Sequence, residues 1–319
     1  MDGVDIFLRR YPASPVVADV LGTLDGDEIR ARARELDPEL EEIFFFAASV
    51  GAIFGVRRRD GTRVAIKVHK LFTDDGYFDE LQRLQGALAA QGYPAPRPLG
   101  RRGLATLEEW LDDGVFRDAH EPDVRSAMAG ALADFVARAT ATGIRPLRPF
   151  LPFGDEGLWP VPHNALFDFD ATTAGAAWID EIARASKPLG RGNTGREVVG
   201  HTDWSAKHLR FDGSLRPTAL YDWDSVTVDR EPSHVGTAAG SFAYTEELGH
   251  DVVLWPSAEE SLAFIAEYED ARGKPFGSDE RRAAQAACVY LRAYAARCGH
   301  AFGVDVRDTG LEELAEALL

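Results

Sequence analysis

The sequence predicts an α+β fold of two lobes: a small N-terminal lobe with an antiparallel β-sheet and a helix, and a larger, mainly helical C-terminal lobe. Three observations support this prediction. Short apolar runs broken by turn residues lie between residues 43 and 69, amphipathic helical patterns dominate after residue 124, and 45% of the 319 residues are hydrophobic. A chain of this length and apolar content can bury a substantial core.

The sheet of the N-terminal lobe is predicted from apolar strands that alternate with turn residues. The expected strands cover residues 43–46, 56–59 and 63–69. A segment containing Ser49, Gly51 and Gly55 separates the first two, and Asp60-Gly61 forms a hairpin turn before the third. These elements predict a three-stranded antiparallel meander.

Helical patterns flank this meander. A charged helix is predicted over residues 27–35, and a second over residues 77–90, where apolar residues recur at helical spacing. A short strand over residues 105–107 then leads to a connector. We therefore place the N-terminal lobe at residues 1–107, a hinge at 108–112 and the C-terminal lobe at 113–319.

The C-terminal lobe is predicted to be mainly helical. Its expected helices cover residues 124–142, 171–185, 259–272 and 279–298. Ser278 is the expected N-cap of the last helix and Gly299 its stop. Residues 201–224 do not follow a helical pattern, and residues 146–163, rich in proline and aromatic residues, are expected to form an ordered loop beside an acceptor pocket.

The net charge of −17 limits the classes of partner. Nucleic acids and anionic membranes attract basic surfaces, so neither is an expected partner. An acidic cleft concentrates cations, which is compatible with a cationic substrate. The same charge is equally compatible with an acidic surface that only favours solubility.

Cysteine content and the N-terminus predict a cytoplasmic protein. The two cysteines, Cys288 and Cys298, lie ten residues apart in one expected helix. That spacing corresponds to about 15 Å along a helix, too far for a disulfide. The first ten residues lack a signal-peptide pattern, and the longest apolar run, residues 43–56, is shorter than a membrane span requires.

A lysine at the end of the third strand is the first candidate for chemistry. Lys67 closes the run Val64-Ala65-Ile66-Lys67, and a lysine in this position can neutralise phosphate oxygens in a cleft. Its orientation would require a carboxylate partner from the next helix. Glu80 is the first choice because it shares a face with Leu84, and Asp79 is the alternative; either acid can also be simply solvated.

Two backbone segments can contact a nucleotide. In Glu108-Glu109-Trp110-Leu111, where the chain would cross between lobes, backbone N–H and C=O groups can pair with an adenine edge. The turn that contains Ser49 and Gly51 can offer backbone N–H groups to phosphate.

Two carboxylate segments carry the strongest signal. The first, His201-Thr202-Asp203-Trp204-Ser205-Ala206-Lys207-His208, offers Asp203 on a short loop, where it can accept a proton from a substrate hydroxyl. The second, Tyr221-Asp222-Trp223-Asp224, offers carboxylates that can hold Mg²⁺. Phosphoryl transfer needs a positioned nucleophile and neutralised phosphates, and these segments can supply both.

These segments resemble those of the aminoglycoside phosphotransferases (APH) and their relatives, which share a two-lobed, protein-kinase-like fold. Residues 201–208 look like the family's H-G-D-x-x-x-x-N loop, and Asp222-Trp223-Asp224 looks like its I-D-W-[DE] segment. Residues 92–98 resemble its G-x-P-x-P-R-P link. The resemblance runs from about residue 44 to residue 229.

The resemblance implies an enzyme that moves the γ-phosphate of ATP or GTP to a hydroxyl group of a small molecule, with Mg²⁺ as cofactor. Carried over by position, the roles are Asp203 as catalytic base, Asp222 as principal Mg²⁺ ligand, Lys67 at the α/β-phosphates, Glu80 as its partner, the Glu109 and Leu111 backbone at adenine, and His201 as a brace of the loop.

The chain departs from the family pattern at His208, where the family has asparagine. Histidine offers nitrogen, which Mg²⁺ disfavours, so a second metal site is in doubt. His208 can instead hydrogen-bond Asp203 or Asp222, or favour Mn²⁺, and Asp224 can supply the missing oxygen. Lys207 can reach the γ-phosphate, although a solvated lysine is an equally simple interpretation.

The resemblance leaves the acceptor open among aminoglycosides and related antibiotics, amino sugars, sugars and amino alcohols such as choline. Acidic residues near the hinge favour a cationic acceptor, although a neutral polyhydroxylated one fits the family as well. An antibiotic acceptor would make the protein a resistance enzyme. Two alternatives remain: a degenerate kinase that binds a nucleotide or a partner without catalysis, and a metal-dependent hydrolase that uses His201, Asp203, His208 and Asp222.

Overall fold

A five-stranded antiparallel sheet forms the base of the first lobe. The computed structural model describes residues 2–69, 75–147, 157–164, 166–190, 194–249 and 253–319. The strands are β1 (Leu40–Ala48), β2 (Ala52–Arg58), β3 (Arg63–Val68), β4 (Pro98–Arg102) and β5 (Ala105–Glu109). Their order across the sheet is β1-β2-β3-β5-β4.

The sheet is larger than the predicted three-stranded meander, and β4 was not predicted. Its sequence, Pro-Leu-Gly-Arg-Arg, contains residues that are depleted in strands. The strand lies at the edge of the sheet, where a proline without an N–H donor is tolerated. Glu108 and Glu109, the first two residues of the predicted hinge, are the last two residues of β5.

The turn between β1 and β2 covers residues 49–51 and is shorter than the predicted segment 49–55. Ala52 already pairs with Ala48, and Phe54 pairs with Phe46. Gly55 therefore lies inside β2, and a Cβ at this position would come within 2.8 Å of the Phe44, Phe45 and Trp110 side chains. Its role is to admit these aromatic rings against the strand.

Three N-terminal helices cover one face of the sheet: α1 (Gly3–Arg10), α2 (Pro15–Leu21) and α3 (Gly26–Leu36). Val4, Val17 and Ile29 are completely buried and pack in one cluster with Phe54 and Ile66 of the sheet. The predicted helix over residues 27–35 corresponds to α3. The two short helices before it were not predicted.

Helix α4 (Asp75–Ala90) lies between β3 and β4 in the chain and packs against the C-terminal part. Its apolar face, which includes Phe78, Leu84 and Leu88, belongs to the large core of the C-terminal part. The Tyr77 hydroxyl donates hydrogen bonds to the Asp224 carbonyl (2.8 Å) and the Val226 carbonyl (2.9 Å). The helix is therefore attached to the segment that carries the candidate metal ligands.

The C-terminal part is mainly helical, as predicted. Its helices are α5 (Pro122–Ala141), α6 (Ala177–Gly190), α7 (Glu231–Ser241), α8 (Ala258–Ala271), α9 (Ser278–Ala301) and α10 (Leu311–Leu318). Two antiparallel pairs interrupt them, formed by β6 (Glu197–His201) with β9 (Val226–Arg230) and by β7 (Leu209–Phe211) with β8 (Pro217–Leu220). Residues 201–224 contain no α-helix, as predicted, and the helical turns in this region are two short 3₁₀ segments, Ala206–His208 and Trp223–Ser225.

Several helix boundaries differ from the predictions. Helix α6 begins at Ala177, six residues later than expected, because residues 171–176 form turns. The N-cap of α9 is Gly277, and the helix continues through Gly299 to Ala301. Helix α7 was not predicted, since its glycines and small residues give a weak helical pattern. Of the predicted loop 146–163, residues 148–156 lie outside the described residues.

The core of the C-terminal part holds the two carboxylate segments in place. Trp204 and Trp223 are both buried near Phe135, with ring centroids 6.1 and 5.8 Å from that of Phe135. The first segment follows β6, and the second lies between β8 and β9. Because Trp204 and Trp223 belong to one hydrophobic cluster, both segments are anchored in the same core.

Cys288 and Cys298 are both buried and free, in agreement with the prediction that they form no disulfide. Across the described ranges, no helix combines the length and the apolar character that a membrane crossing requires.

A buried carboxylate at the start of α7 is expected to contribute strongly to stability. Glu231 is fully buried, accepts hydrogen bonds from Arg196 (2.8 and 3.0 Å) and from the Tyr268 hydroxyl (2.8 Å), and lies 3.3 Å from Arg272. Burial alone would raise the pKa of Glu231, but the Arg196 and Tyr268 hydrogen bonds outweigh it and lower the pKa.

We expect Glu231→Gln to lower the free energy of unfolding by about 2–3 kcal/mol at neutral pH, because it removes the buried negative charge that pairs with Arg196 and with the buried Arg272. Since the folded state has the lower pKa, this contribution is complete above the unfolded pKa of about 4.3 and is lost as the pH falls through the folded value. Denaturant unfolding at several pH values measures this contribution to stability.

Glu197→Gln is the matched control, because Glu197 pairs with Arg145 at the surface and its replacement should change stability by less than about 1 kcal/mol. Equal effects of the two variants would contradict the role of Glu231.

Candidate active site

The first carboxylate segment begins where β6 ends, at the buried residue His201. The His201 Nδ1 accepts a hydrogen bond from the Asp203 backbone N–H (3.2 Å), and its Nε2 lies 3.1 Å from the Tyr221 carbonyl, to which it donates. Burial lowers the pKa of His201 to about 3, so the ring is neutral. These two hydrogen bonds link the two carboxylate segments, which is the geometry that a bracing role requires.

Neighbouring elements anchor the rest of this loop. The Trp204 indole donates to the Met128 carbonyl of α5 (3.2 Å), and the Ala206 and Lys207 N–H groups donate to the carbonyls of Phe242 and Tyr244. The loop is therefore attached at several points along its length, and its side chains are held in fixed directions.

The Asp203 carboxylate lies beside Lys207 and His208. The His208 Nε2 is 3.0 Å from Asp203 Oδ2, and the Lys207 Nζ is 3.3 Å from the same oxygen. Burial alone would raise the pKa of Asp203, but Lys207 and His208 outweigh it and hold the pKa well below its usual range. Since 38% of the side chain is exposed, an ionised carboxylate is open to a ligand.

Asp222 approaches this group from the second segment. Its backbone has a φ of 58°, a left-handed conformation that aspartate tolerates better than most residues. Its Oδ2 accepts a hydrogen bond from Ser225 Oγ (2.9 Å) and lies 3.7 Å from His208 Nε2. Burial and the nearby Asp224 carboxylate raise the pKa of Asp222.

Asp203, His208 and Asp222 form a cluster that can hold a cation. Each offers one ligand atom, and these atoms lie within 4.8 Å of one another. The raised pKa of Asp222 reflects burial and repulsion between carboxylates, which a bound cation would relieve. Two carboxylate oxygens suit Mg²⁺, whereas the imidazole nitrogen suits Mn²⁺ better. The residues therefore fit one divalent cation held chiefly by oxygen.

Asp224 lies outside this cluster. Its Oδ2 is 3.4 Å from His69 Nδ1, and the His69 Nε2 is in turn 2.9 Å from the Thr106 hydroxyl. The carboxylate thus faces the end of β3 in the first lobe. Asp224 is not one of the three residues whose ligand atoms lie within 4.8 Å of one another, although its carboxylate is close enough to Asp222 to raise the pKa of that group.

The predicted ion pair between Lys67 and Glu80 is not formed. Glu80 pairs with Arg83 on the outer side of α4, and the alternative acid, Asp79, lies 3.4 Å from Arg101. Lys67 Nζ instead lies 3.0 Å from Glu108 Oε1 of β5. The prediction rested on helical spacing, which places Glu80 on the same face as Leu84. Glu80 lies at the margin of this face, and its side chain points to solvent and pairs with Arg83.

Lys67 is buried and still has donors available. Its Nζ forms an ion pair with Glu108. Within the described part of the chain, it makes no hydrogen bond of normal geometry. Burial alone would lower the pKa of Lys67, but the Glu108, Asp224 and Asp222 carboxylates outweigh it and raise the pKa. A charged ammonium group with spare donors in a cleft is suited to phosphate oxygens.

The backbone groups expected at adenine are partly engaged. The Glu109 N–H donates to the Arg97 carbonyl (2.9 Å), and the Leu111 carbonyl accepts from the Tyr221 hydroxyl (2.8 Å). None of the hydrogen bonds among the described residues uses the Leu111 N–H, which stays available. Ser49 and Gly51 lie in the β1–β2 turn, which contacts Asn164 of the C-terminal part through the Ser49 carbonyl (3.2 Å).

An aromatic pair lies next to the candidate base. The Lys207 Nζ is 5.0 Å from the centre of the Tyr244 ring, and the Tyr244 and Trp255 ring centroids are 5.0 Å apart. The Tyr244 hydroxyl also donates to the exposed Glu246 (3.3 Å). A cation–π contact thus already exists beside Asp203.

A separate cavity opens in the described part of the predicted acceptor loop and the residues after it. It has a volume of about 440 Å³ and is lined by Trp159, Phe167 and Phe169 together with the exposed carboxylates of Asp168 and Asp170. Its lining includes none of the Asp203 cluster residues. The sequence had predicted a pocket in this region without naming its side chains.

Glu108 and His69 are the site residues that the sequence analysis missed. Alternation along β5 places Glu108 on the same face as Thr106, and Thr106 pairs with Lys67. This alternation predicts that Glu108 lies near Lys67 only when the pairing of β5 with β3 is already known. His69 gives no signal of its own, since its partners lie far away in the chain.

The comparisons with known proteins agree with this geometry. The sequence model of the phosphotransferase enzyme family, APH, matches residues 48–230, more than half of the chain. No curated protein sequence matches the chain.

Solved structures are similar over most of the chain. The Plasmodium vivax ethanolamine kinase has a TM-score of 0.54 and 12% identity, covering 98% of this chain and 92% of that one. An amicoumacin kinase in complex with AMP-PNP and Ca²⁺ has a TM-score of 0.59 and 10% identity, covering 92% and 93%. An aminoglycoside-3'-phosphotransferase of type VIII has a TM-score of 0.50 and 19% identity, covering 84% and 98%. These similarities confirm the two-lobed, kinase-like α+β fold.

Proposed function

Because the chain belongs to the phosphotransferase enzyme family, we propose that it transfers the γ-phosphate of ATP or GTP to a hydroxyl group of a small cationic acceptor, with Asp203 as the catalytic base. The family establishes the class of reaction, which is the phosphorylation of a hydroxyl group on a small molecule. The nucleotide, the acceptor and the residue roles are the proposal.

The cluster of Asp203, His208 and Asp222 is the observation that carries the proposal. In the transfer, the acceptor oxygen forms a bond to the γ-phosphorus, and the bond to the oxygen of the leaving nucleoside diphosphate breaks. The hydroxyl proton passes to Asp203. The low pKa of Asp203 keeps it ionised before the reaction, and its contacts with Lys207 and His208 hold it in one orientation.

Asp222 is the proposed principal ligand of the catalytic Mg²⁺. The metal ion would neutralise charge on the nucleotide phosphates when bound. We assign Lys67 to the nucleotide phosphates, which its spare donors support, and the Leu111 N–H to the base, which its lack of a hydrogen bond among the described residues supports. The amicoumacin kinase with a similar fold was solved with AMP-PNP, a nucleotide analogue, and a divalent cation, which supports a nucleotide donor here.

A cationic acceptor is supported by the surroundings of Asp203. The Tyr244 ring faces the base region and already accepts the Lys207 ammonium, and Glu246 adds a carboxylate. If Lys207 turns to the γ-phosphate, the ring face and Asp203 become available to an ammonium group of the acceptor. Ethanolamine and aminoglycosides, named for two of the similar structures, both carry amino groups.

The test measures the rate of ADP release from ATP in the presence of Mg²⁺, with pairs of acceptors that differ in charge. Choline is compared with 3,3-dimethyl-1-butanol, its uncharged analogue, and glucosamine with glucose. We expect a preference of roughly two- to thirtyfold for the cationic member wherever turnover occurs, since a cation–π contact is worth about 0.5–2 kcal/mol. Tyr244→Leu should reduce this preference and Tyr244→Phe should retain it. Equal rates with charged and neutral acceptors would contradict the cationic acceptor.

Replacing His208 tests the metal assignment. We expect His208→Asn to retain or increase Mg²⁺-dependent turnover, because the amide oxygen is a better ligand for Mg²⁺ than the imidazole nitrogen. The ratio of activity in Mg²⁺ to activity in Mn²⁺ should rise in the variant. Complete loss of activity in both metals would show that His208 has a specific function beyond its contact with Asp203.

A further inference from the structure

Three buried side chains from three elements of the first lobe form a continuous polar chain. Lys67 of β3 lies 3.0 Å from Glu108 of β5, and the Gln85 amide of α4 donates to the other Glu108 oxygen (2.8 Å). Their exposed fractions are only 8%, 4% and 2%. A buried carboxylate is costly unless both oxygens have partners, and here both do.

The strand register places Glu108 beside Lys67. Lys67 pairs with Thr106, and Ala65 pairs with Glu108. Alternate residues of a strand share one face, so Glu108 is the diagonal neighbour of Lys67 on the face of the sheet opposite that of Ile66. At this distance the two long side chains can meet without any contribution from a helix.

Among the helix α4 side chains that the structure describes, no carboxylate pairs with Lys67. Glu80 and Asp79 are paired with Arg83 and Arg101 at the surface. The helix residue that reaches the buried group is Gln85, which is neutral. The charge that balances Lys67 inside the first lobe therefore comes from β5.

We infer that Glu108 is the positioning residue for Lys67, that Gln85 in turn orients Glu108, and that this strand carboxylate takes the place of a carboxylate on helix α4. The inference rests on the proposed function, because it assumes that Lys67 contacts the nucleotide phosphates.

The arrangement has a consequence for how the site is assembled. Lys67 and Glu108 lie on adjacent strands that are joined by backbone hydrogen bonds, so their separation is set by the sheet. Helix α4 adds only a neutral hydrogen bond to the pair. A shift of the helix would therefore break the Gln85 hydrogen bond to Glu108 but would not take the charge partner away from Lys67.

The test uses ATP with Mg²⁺ as the probe and measures calorimetric affinity together with kcat and KM for ATP. Glu108→Gln keeps the shape of the side chain but removes the charge, and we expect kcat/KM to fall about 100-fold because the lysine is misplaced. Glu108→Asp should recover part of this loss. Glu80→Gln removes the carboxylate of α4 and is the matched control, expected to stay within twofold of the wild type.

A double variant separates positioning from stability. Glu108→Gln with Gln85→Glu keeps one carboxylate and one amide in the buried pair, so the melting temperature should return toward that of the wild type. The carboxylate then lies on α4, and kcat/KM should remain at least about tenfold reduced. Full recovery of the rate in this variant, or an unchanged rate in Glu108→Gln, would overturn the inference.

Lys67→Met distinguishes this inference from the proposed function. If Lys67→Met lowers kcat/KM while Glu108→Gln does not, the inference fails and the nucleotide site stands. If Lys67→Met has no effect on ATP affinity or turnover, the lysine does not contact phosphate, and the proposed role of the site fails as well.

Discussion

Asp203→Asn is expected to lower kcat by about a thousandfold, within the range that a general base contributes. The amide keeps the size of the carboxylate and can still accept a hydrogen bond from His208, so the loop should keep its conformation. It cannot accept the hydroxyl proton, and it no longer offers a negative charge to Lys207. The loss should therefore appear mainly in kcat, and the affinity for ATP should fall less than in Asp222→Asn, because Asp222 is the proposed principal ligand of Mg²⁺.

The measurement is steady-state turnover together with ATP affinity and the melting temperature. Asp134→Asn is a suitable control, because Asp134 is a half-exposed aspartate of α5 that pairs with Arg138. A variant at position 203 that turns over at a rate near the wild type would show that Asp203 is not the base. A large loss of melting temperature would point to a structural role.

Asp222→Asn is expected to remove most of the Mg²⁺-dependent activity, by about a hundredfold or more, because the principal carboxylate ligand loses its charge. Asparagine suits the test because it also tolerates the left-handed backbone at φ 58°, which alanine does not. It can also accept the hydrogen bond from Ser225. The fold should therefore be preserved while metal affinity falls.

Activity is measured over a range of Mg²⁺ concentrations, and a higher requirement for Mg²⁺ in the variant is the diagnostic result. Asp224→Asn is the comparison, because Asp224 lies in the same segment but faces His69. Its loss should be smaller than that of Asp222→Asn. A larger dependence on Asp224 than on Asp222 would contradict the assignment of the metal ligand.

The residues of the cluster were predictable because they lie in two short segments with strong local spacing. Asp203, His208 and Asp222 are brought together by the short β6–β9 and β7–β8 pairings, which act over about thirty residues. The partner of Lys67 was not predictable in the same way. It depends on which strand lies beside β3 and on how helix α4 turns about its axis, and neither follows from local pattern.

The fold shows the same contrast. Helices with clear apolar spacing, such as α5 and α9, were predicted to within a few residues at most boundaries. Elements with weak patterns were missed: β4 contains proline and glycine, and α7 is rich in small residues and completely buried. In both, tertiary packing overrides weak local propensity.

The most direct test of the central claim is a calorimetric titration with ATP and with GTP, in the presence and absence of Mg²⁺ or Mn²⁺, on the wild type and Asp222→Asn. The account predicts nucleotide binding that the divalent cation strengthens and that Asp222→Asn weakens by at least about tenfold, or 1.4 kcal/mol. Absence of binding to either nucleotide under every condition would contradict it. The chain would then carry the motifs of the family without their chemistry.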